Sequence, residues 1–208
     1  MSTDLVFYTN PMSRGRVARW MLEEVGAPYE TKVLDYASSM KAPEYLAINP
    51  MGKVPAIVHK GRTVTETAAI CAYLADAFPD AELAPALEDR AHYYRWLFFT
   101  AGPVEAAFSN KAAGFIPDAD KQRMFGYGNF DLAVDTLEAA VNGKEFVAGN
   151  RFSAADVYVG SMLAFMTGFK LLEPRPTFSA YVERLEQRPA WKRAKEIDEA
   201  LLPQEQPA

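Results

Sequence analysis

Read from its start, the chain first gathers apolar residues at Leu5-Val6-Phe7-Tyr8. Thr9-Asn10-Pro11 then supplies turn-forming residues, so the pattern predicts a short β-strand leading into a loop. From Arg14 to Val25 the positions Val17, Trp20, Met21 and Val25 keep i, i+3, i+4, i+8 spacing. Arginines and Glu23-Glu24 fall on the other side, and Gly26 stands where a helix stops. Tyr29 to Leu34 reads as a second strand, Tyr36 to Ala42 as an exposed loop, and Pro43 to Leu46 as a helical turn opened by proline. Ala56-Ile57-Val58 is a third strand, His59 to Arg62 a hairpin loop with Gly61 at the turn, and Thr63-Val64 the return strand. Thr65-Glu66-Thr67 opens a helix whose apolar positions Ala69, Ile70, Tyr73, Leu74 and Ala77 recur at helical spacing. The order is βαβα and then ββα, a right-handed βαβ followed by a hairpin and a helix.

The stretch from Phe78 to Leu87 is rich in proline and acid without periodicity, which places a linker there, between a domain at 1–80 and a second at 88–208. Everything after it reads as helix. Arg90 to Phe108 is long and aromatic, interrupted at Gly102-Pro103, where an interior proline removes a hydrogen bond and kinks the axis. Asn110 to Asp118 is loop-like, and Asp120 to Val141 is expected to form a second long helix, weakened by Gly126 and Gly128. Ser153-Ala154-Ala155-Asp156 is a capping-box start for a helix through Phe169, apolar nearly all round and so expected to be the buried spine of this half. Phe178 to Arg188 and Ala190 to Leu202 complete an all-helical bundle, with a disordered tail expected from Pro203 to Ala208.

Composition narrows the function. Half of the 208 residues are hydrophobic, ample for a core, and the net charge of −5 gives no reason to expect nucleic acid as a partner. The single cysteine, Cys71, excludes an intramolecular disulfide and a CxxC redox or zinc framework, so a reducing cytoplasm and no metal are expected. No signal core precedes the first strand and no apolar run is long enough to span a bilayer, so no membrane role is expected.

The chemistry concentrates between Asn49 and Leu74. Pro55 cannot donate within a pairing strand, so it belongs at the strand's entrance. An X-Pro bond at such a corner can adopt the cis form, which leaves the NH and C=O of Val54 free to pair with a ligand. The helix opened by Glu66-Thr67 adds free NH groups, a positive dipole end, a hydroxyl and a carboxylate. Together these can hold a small zwitterionic peptide: an extended edge for its backbone, a helix N-terminus for a carboxylate and Glu66 for an ammonium. An ordinary strand-helix corner with a helix cap is the other reading of the same letters.

Asn49-Pro50-Met51-Gly52-Lys53-Val54-Pro55-Ala56-Ile57, followed by Glu66-Thr67-Ala68-Ala69-Ile70 and Tyr73-Leu74, resembles the glutathione-site signature of the cytosolic glutathione transferases in letters and spacing. Phe146 to Asp156 (FVAGNRFSAAD) resembles the capping motif of that family's helical domain, so the likeness touches both halves. It implies an α/β plus all-α fold: an N-terminal thioredoxin-like domain followed by a C-terminal helical bundle. It implies an enzyme that activates glutathione, its co-substrate, as a thiolate for attack on a hydrophobic electrophile or a peroxide, with a detoxifying role. The contrasting reading is a non-catalytic ligand-binding or assembly module on the same fold. Nothing assigns a class within the family, and the first loop has no cysteine.

The resemblance also implies site residues. Val54, with Pro55 beside it, would pair its backbone with the cysteinyl unit; Glu66 and Thr67 would take the γ-glutamyl ammonium and carboxylate; Lys53 and Lys41 would meet the glycyl carboxylate. Thr67 stands where serine is more usual. The donor to the thiolate would lie in the loop after the first strand. Ser13 is the first choice, because a hydroxyl just before a helix acts with the free backbone NH groups and the dipole. Tyr8 and Asn10 remain alternatives. The electrophile pocket would lie between domains, walled by Met12, Tyr94, Phe98, Phe108 and Phe115, and the protein would be a homodimer.

Overall fold

A computed structural model describes residues 4–202 of the chain. Contacts divide it into two units: residues up to Ala81 together with those from Gln187 onward, and Glu82–Glu186. By contacts the last helix groups with the first unit. The tail expected from Pro203 lies outside the described residues.

In the first unit β1 (Leu5–Thr9), α1 (Gly15–Val25), β2 (Glu30–Val33), α2 (Pro43–Leu46), β3 (Ala56–His59), β4 (Arg62–Thr65) and α3 (Thr67–Ala77) follow the order read from the sequence. The sheet order is β2-β1-β3-β4, with β1 and β2 parallel and the other two pairs antiparallel. The hairpin loop is tighter than expected. Lys60 (φ 50°) and Gly61 (φ 74°) form a two-residue turn, so both strands run one residue further into it. Leu5, Phe7 and Thr9 of β1 are buried while Val6 and Tyr8 are half-buried, the alternation a strand's period of two requires. Phe7 and Ile57 face each other across the ladder, and α1 packs against α3, with Val17, Met21, Ile70 and Leu74 of the two helices buried. On Tyr8's side a smaller cluster forms from Met40, Tyr45 and Ala56, with Leu34, Ile48 and Val54 against it.

One arginine departs from the amphipathic reading of α1. Arg19 is 1% exposed, although the sequence placed the arginines on the side away from the core. Its guanidinium lies over the Phe7 ring and donates to Tyr29, Thr31 and, at 3.2 Å, Asp198. Asp198 belongs to α9 (Pro189–Ala200), which packs along α1 and adds Arg188 to Glu24 and Arg193 to Glu23. A helix remote in sequence therefore covers the face that periodicity alone assigned to water. Burial raises the Asp198 carboxyl above its usual range against the lowering effect of Arg19.

The helical unit contains α4 (Arg90–Phe99), α5 (Glu105–Ala112), α6 (Phe130–Val141), α7 (Ala154–Gly168) and α8 (Pro176–Glu186). Between α4 and α5 the chain runs through a π-helical turn, Thr100–Val104, around Gly102-Pro103, where the interruption was expected. The second long helix expected from Asp120 begins only at Phe130. Gly128 takes φ 65°, and Asn129, extended, accepts the Leu132 NH at 2.8 Å as the cap, so 113–129 stays irregular apart from a short 3₁₀ turn. In α7 the capping box is present as read. Asp156 accepts four hydrogen bonds while buried, from the Val147 and Ser153 amides and the Ser153 and Tyr181 hydroxyls, which tie α8 and the preceding loop to the spine. No helix among the described residues is long and apolar enough to cross a membrane.

The buried Arg19–Asp198 pair yields a stability test. Removing one partner strands the other's charge, at a cost of about 3–5 kcal/mol, whereas an apolar pair of similar volume costs far less. Asp198→Ala should therefore lower the urea-derived stability by that amount and Arg19→Met/Asp198→Leu should recover most of it. A single variant as stable as wild type would show that α9 is not held by this pair.

Candidate functional site

The register of the sheet assembles the site. Tyr8 of β1 lies opposite Ala56 of β3, and Ala56 lies opposite Thr65 of β4. The loop after β1, the Val54-Pro55 corner before β3 and the Glu66-Thr67 start of α3 therefore open at one end of the sheet. Three segments that the sequence treats separately become neighbours by strand pairing alone.

The first is the loop from Asn10 to Arg14. Asn10 is 7% exposed and its amide is spent on the fold, donating to the Leu34 carbonyl at 2.8 Å and accepting the Met12 NH at 2.9 Å. Ser13 is half-buried. Its hydroxyl donates to the Asn10 carbonyl at 2.7 Å and accepts the Gly15 NH at 2.9 Å, joining the loop to the first turn of α1. The same carbonyl also accepts the Ser13 NH at 3.1 Å. Gly15 must be glycine for space, since a Cβ there would overlap the Thr9 hydroxyl. Tyr8 leans its ring on Tyr45 and lies under the Lys32 ammonium, and its hydroxyl takes no hydrogen bond among the described residues. Met12 is largely exposed beside Tyr36, whose hydroxyl donates to the Met12 carbonyl.

The second segment runs from Asn49 to Pro55, and two residues that sequence reasoning gave no role hold it. Tyr45 and Asn49 both donate to the Lys53 carbonyl, at 2.6 and 2.8 Å, and Asn49 also accepts the Met51 NH. Burial pushes the Tyr45 hydroxyl up to about 12, so it remains a donor through the physiological range. An asparagine followed by proline and glycine is the signal that could have found this turn, since its side chain folds back on nearby backbone. Val54-Pro55 is cis, and neither the NH nor the C=O of Val54 pairs with another described residue. Lys53 is exposed. Lys41, also exposed, donates to the Gly52 carbonyl at 2.8 Å, which brings its ammonium to this loop from 11 residues away. Gly52, at φ 56°, has no room for a side chain beside the Met40 carbonyl and Lys41.

The third segment is the entry to α3. Glu66 is exposed and takes φ 64°, ψ 118°, a conformation outside the small left-handed region that non-glycine residues tolerate. Such strain costs about 1–3 kcal/mol and concentrates at functional sites. The first helical bond runs from the Ile70 NH to the Glu66 carbonyl, and no side chain caps the helix. The amides of Thr67, Ala68 and Ala69 therefore point out of an open, positively polarised helix end, with the Thr67 hydroxyl beside them.

The remaining predicted residues separate. Tyr94 and Phe98 are exposed on α4 with their rings 6.4 Å apart, and Phe115 is exposed where it lines a cavity of the helical unit. Phe108 is 4% exposed and packs edge-on against Phe130, 4.7 Å between centroids. Cys71 is fully buried on α3, and burial pushes its thiol up to about 12, which removes it as a nucleophile. No cluster of potential metal ligands occurs among the described residues.

Residues 3–76 match the glutathione S-transferase N-terminal domain model and residues 128–189 the corresponding C-terminal domain model. The chain is similar to glutathione S-transferase GST-4.5 of Xanthomonas campestris pv. campestris, 30% identical over 159 residues that span 73% of this chain and 78% of the relative. Its fold is similar to a glutathione transferase from Methylococcus capsulatus (TM-score 0.79, 27% identity, 94% of this chain and 99% of that one). It is likewise similar to a sphingomonad glutathione S-transferase in complex with glutathione (TM-score 0.74, 28% identity, 93% and 98%).

Proposed function

The chain belongs to the glutathione S-transferase family and is a glutathione transferase, and from that premise we propose how its residues hold and activate the tripeptide. The Val54 NH and C=O pair with the cysteinyl unit as a strand would. The γ-glutamyl carboxylate meets the open amides of α3 and the Thr67 hydroxyl, and its ammonium meets Glu66. Lys53, with Lys41, faces the glycyl carboxylate. The observation that carries this reading is the strained, exposed Glu66 at an uncapped helix N-terminus, placed by the Ala56–Thr65 pair at the same end of the sheet as the unpaired edge of Val54.

Activation then needs one donor at sulfur. A free thiol near pKa 8.5 is only a few per cent thiolate at neutral pH, and a hydrogen bond to a charged acceptor supplies roughly 1.5–3 kcal/mol, about one to two pKa units. Ser13 suits this. Its proton can swing from the Asn10 carbonyl to a thiolate, because that carbonyl keeps the Ser13 NH, while the Gly15 NH polarises the hydroxyl oxygen. Asn10 has its amide committed on both sides, whereas Tyr8 packs its ring at a tilt on Tyr45 with its hydroxyl unbonded among the described residues and stays the alternative donor. The thiolate forms a bond to an electrophilic carbon of an apolar substrate, displacing its leaving group or adding to it, or cleaves the O–O bond of a peroxide to give a sulfenic acid that a second glutathione converts to the disulfide and water. Exposed apolar residues occur in each unit, Met12 in the first and Tyr94, Phe98 and Phe115 in the helical one. The engaged hydroxyl of Ser13 also favours a second reading, a carrier that binds glutathione without turnover. We further propose a cytoplasmic homodimer with a detoxifying role.

Thiolate absorbance of bound glutathione, titrated against pH, separates these readings. Ser13→Ala should raise the thiol's pKa by about one to two units and slow turnover at neutral pH roughly tenfold or more, with recovery at higher pH. A wild-type titration curve in Ser13→Ala, with a shift in Tyr8→Phe or Asn10→Ala instead, would move the role to that residue; no depressed pKa in wild type would favour the carrier. Sedimentation at micromolar concentration should give the mass of two chains, and a lone monomer there would refute the dimer.

A further inference from the structure

One buried polar group of the first unit does nothing for the fold. Thr9 ends β1 on its inward face, in line with Leu5 and Phe7, and is 0% exposed. Its carbonyl accepts the Leu34 NH at 2.8 Å, but its side-chain hydroxyl takes no hydrogen bond among the described residues. Buried hydroxyls are nearly always paired, and one that is not destabilises the chain that keeps it. Valine, of the same shape and equally suited to a strand, would fill the position without that penalty.

This hydroxyl borders the proposed thiolate donor. A Cβ on Gly15 would overlap the Thr9 hydroxyl oxygen and stand 2.9 Å from that of Ser13, so both oxygens face the one corner that the glycine leaves open. In the resting loop Ser13 gives its proton to the Asn10 carbonyl and accepts the Gly15 NH. A hydroxyl oxygen has two acceptor sites, so that of Ser13 has room for one more donor. Thr9 reaches the same glycine from the strand and carries a proton with no other use.

We propose that Thr9 is a positioning residue for thiolate formation. When Ser13 turns its proton to the glutathione sulfur, the Thr9 hydroxyl donates to the Ser13 oxygen and, with the Gly15 NH, holds it in the donating orientation. The inference rests on Ser13 as the thiolate donor. Because the bond is absent at rest and made only with the thiolate, its contribution goes into favouring the anion rather than into binding the thiol. A hydrogen bond between neutral groups then shifts the ionisation of the bound thiol roughly three- to tenfold, half to one pKa unit. An unpaired hydroxyl in the resting state is the stability given up for that gain.

The test is the thiolate absorbance of bound glutathione against pH, with urea midpoints, in Thr9→Val, Thr9→Ser, Ser13→Ala and the double variant Ser13→Ala/Thr9→Val. Thr9→Val should raise the thiol pKa by about half to one unit and slow turnover at neutral pH roughly three- to tenfold, with recovery at higher pH. Its urea midpoint should equal or exceed that of wild type, because a buried hydroxyl without a partner is gone. Thr9→Ser should keep the wild-type curve, and Thr9→Val should add no shift once Ser13 is alanine. A wild-type curve in Thr9→Val beside a shifted one in Ser13→Ala would overturn the inference and leave Ser13 as the donor; a wild-type curve in Ser13→Ala would sink both. An equal Thr9→Val shift with and without Ser13, or a Thr9→Ser curve that follows Thr9→Val, would overturn it as well. Should Thr9→Val not fold, Thr9→Ala removes the same hydroxyl and is read on the same curve.

Discussion

Antiparallel pairing of β1, β3 and β4 is the constraint on which the proposed glutathione site depends. Because Tyr8, Ala56 and Thr65 share one row of the sheet, the loop of Ser13, the corner of Val54 and the strained Glu66 must emerge together. A slip of one residue would turn every side chain of the strand to the opposite face, expelling Phe7 or Ile57 from the core. The core therefore selects the register, and the register places the chemistry. The loops need only local bonds: Asn49 and Tyr45 on the Lys53 carbonyl, Ser13 on the Asn10 carbonyl, and Lys41 on the Gly52 carbonyl.

Buried polar groups do comparable work away from the site. Arg19 anchors α9 to α1, and Asp156 gathers four donors at the start of α7. Burying such groups without partners would cost roughly 1–3 kcal/mol for each neutral group and more for each charge, so their satisfaction dictates which helix lies against which. The last helix is far from the first unit in sequence, yet Arg19, Glu23 and Glu24 specify its place there with three ion pairs.

Most elements were legible in the residues because local signals agreed with the tertiary structure. Gly26 ends α1 in the left-handed conformation, Gly102-Pro103 marks the π-helical turn, and Ser153 with Asp156 starts α7. The failures share a cause: what decided them was a partner distant in the chain or a backbone angle. Arg19 looked solvent-facing because helical periodicity cannot see α9. Asp120 to Val141 looked like one helix because its apolar spacing outweighed Gly128 and Asn129, whose conformations break it. The proposed glutathione contacts were picked out through a motif, whereas Tyr45's hold on Lys53 was invisible, since nothing local distinguishes a buried tyrosine with a donor's task from one that merely packs. The cavity of the helical unit was likewise unreadable, because its lining is brought together by the irregular segment rather than by any periodic element.

Glu66 joins the two halves of the account. Its backbone is held in a conformation glutamate avoids, at a helix end left uncapped, and both features make sense if the carboxylate and the free amides await a zwitterion. Calorimetric titration of glutathione into wild type and Glu66→Ala tests this most directly. The account predicts a loss of roughly 1.5–3 kcal/mol of binding free energy, about ten- to a hundredfold in affinity, with the fold intact. Unchanged affinity in a folded Glu66→Ala would contradict it.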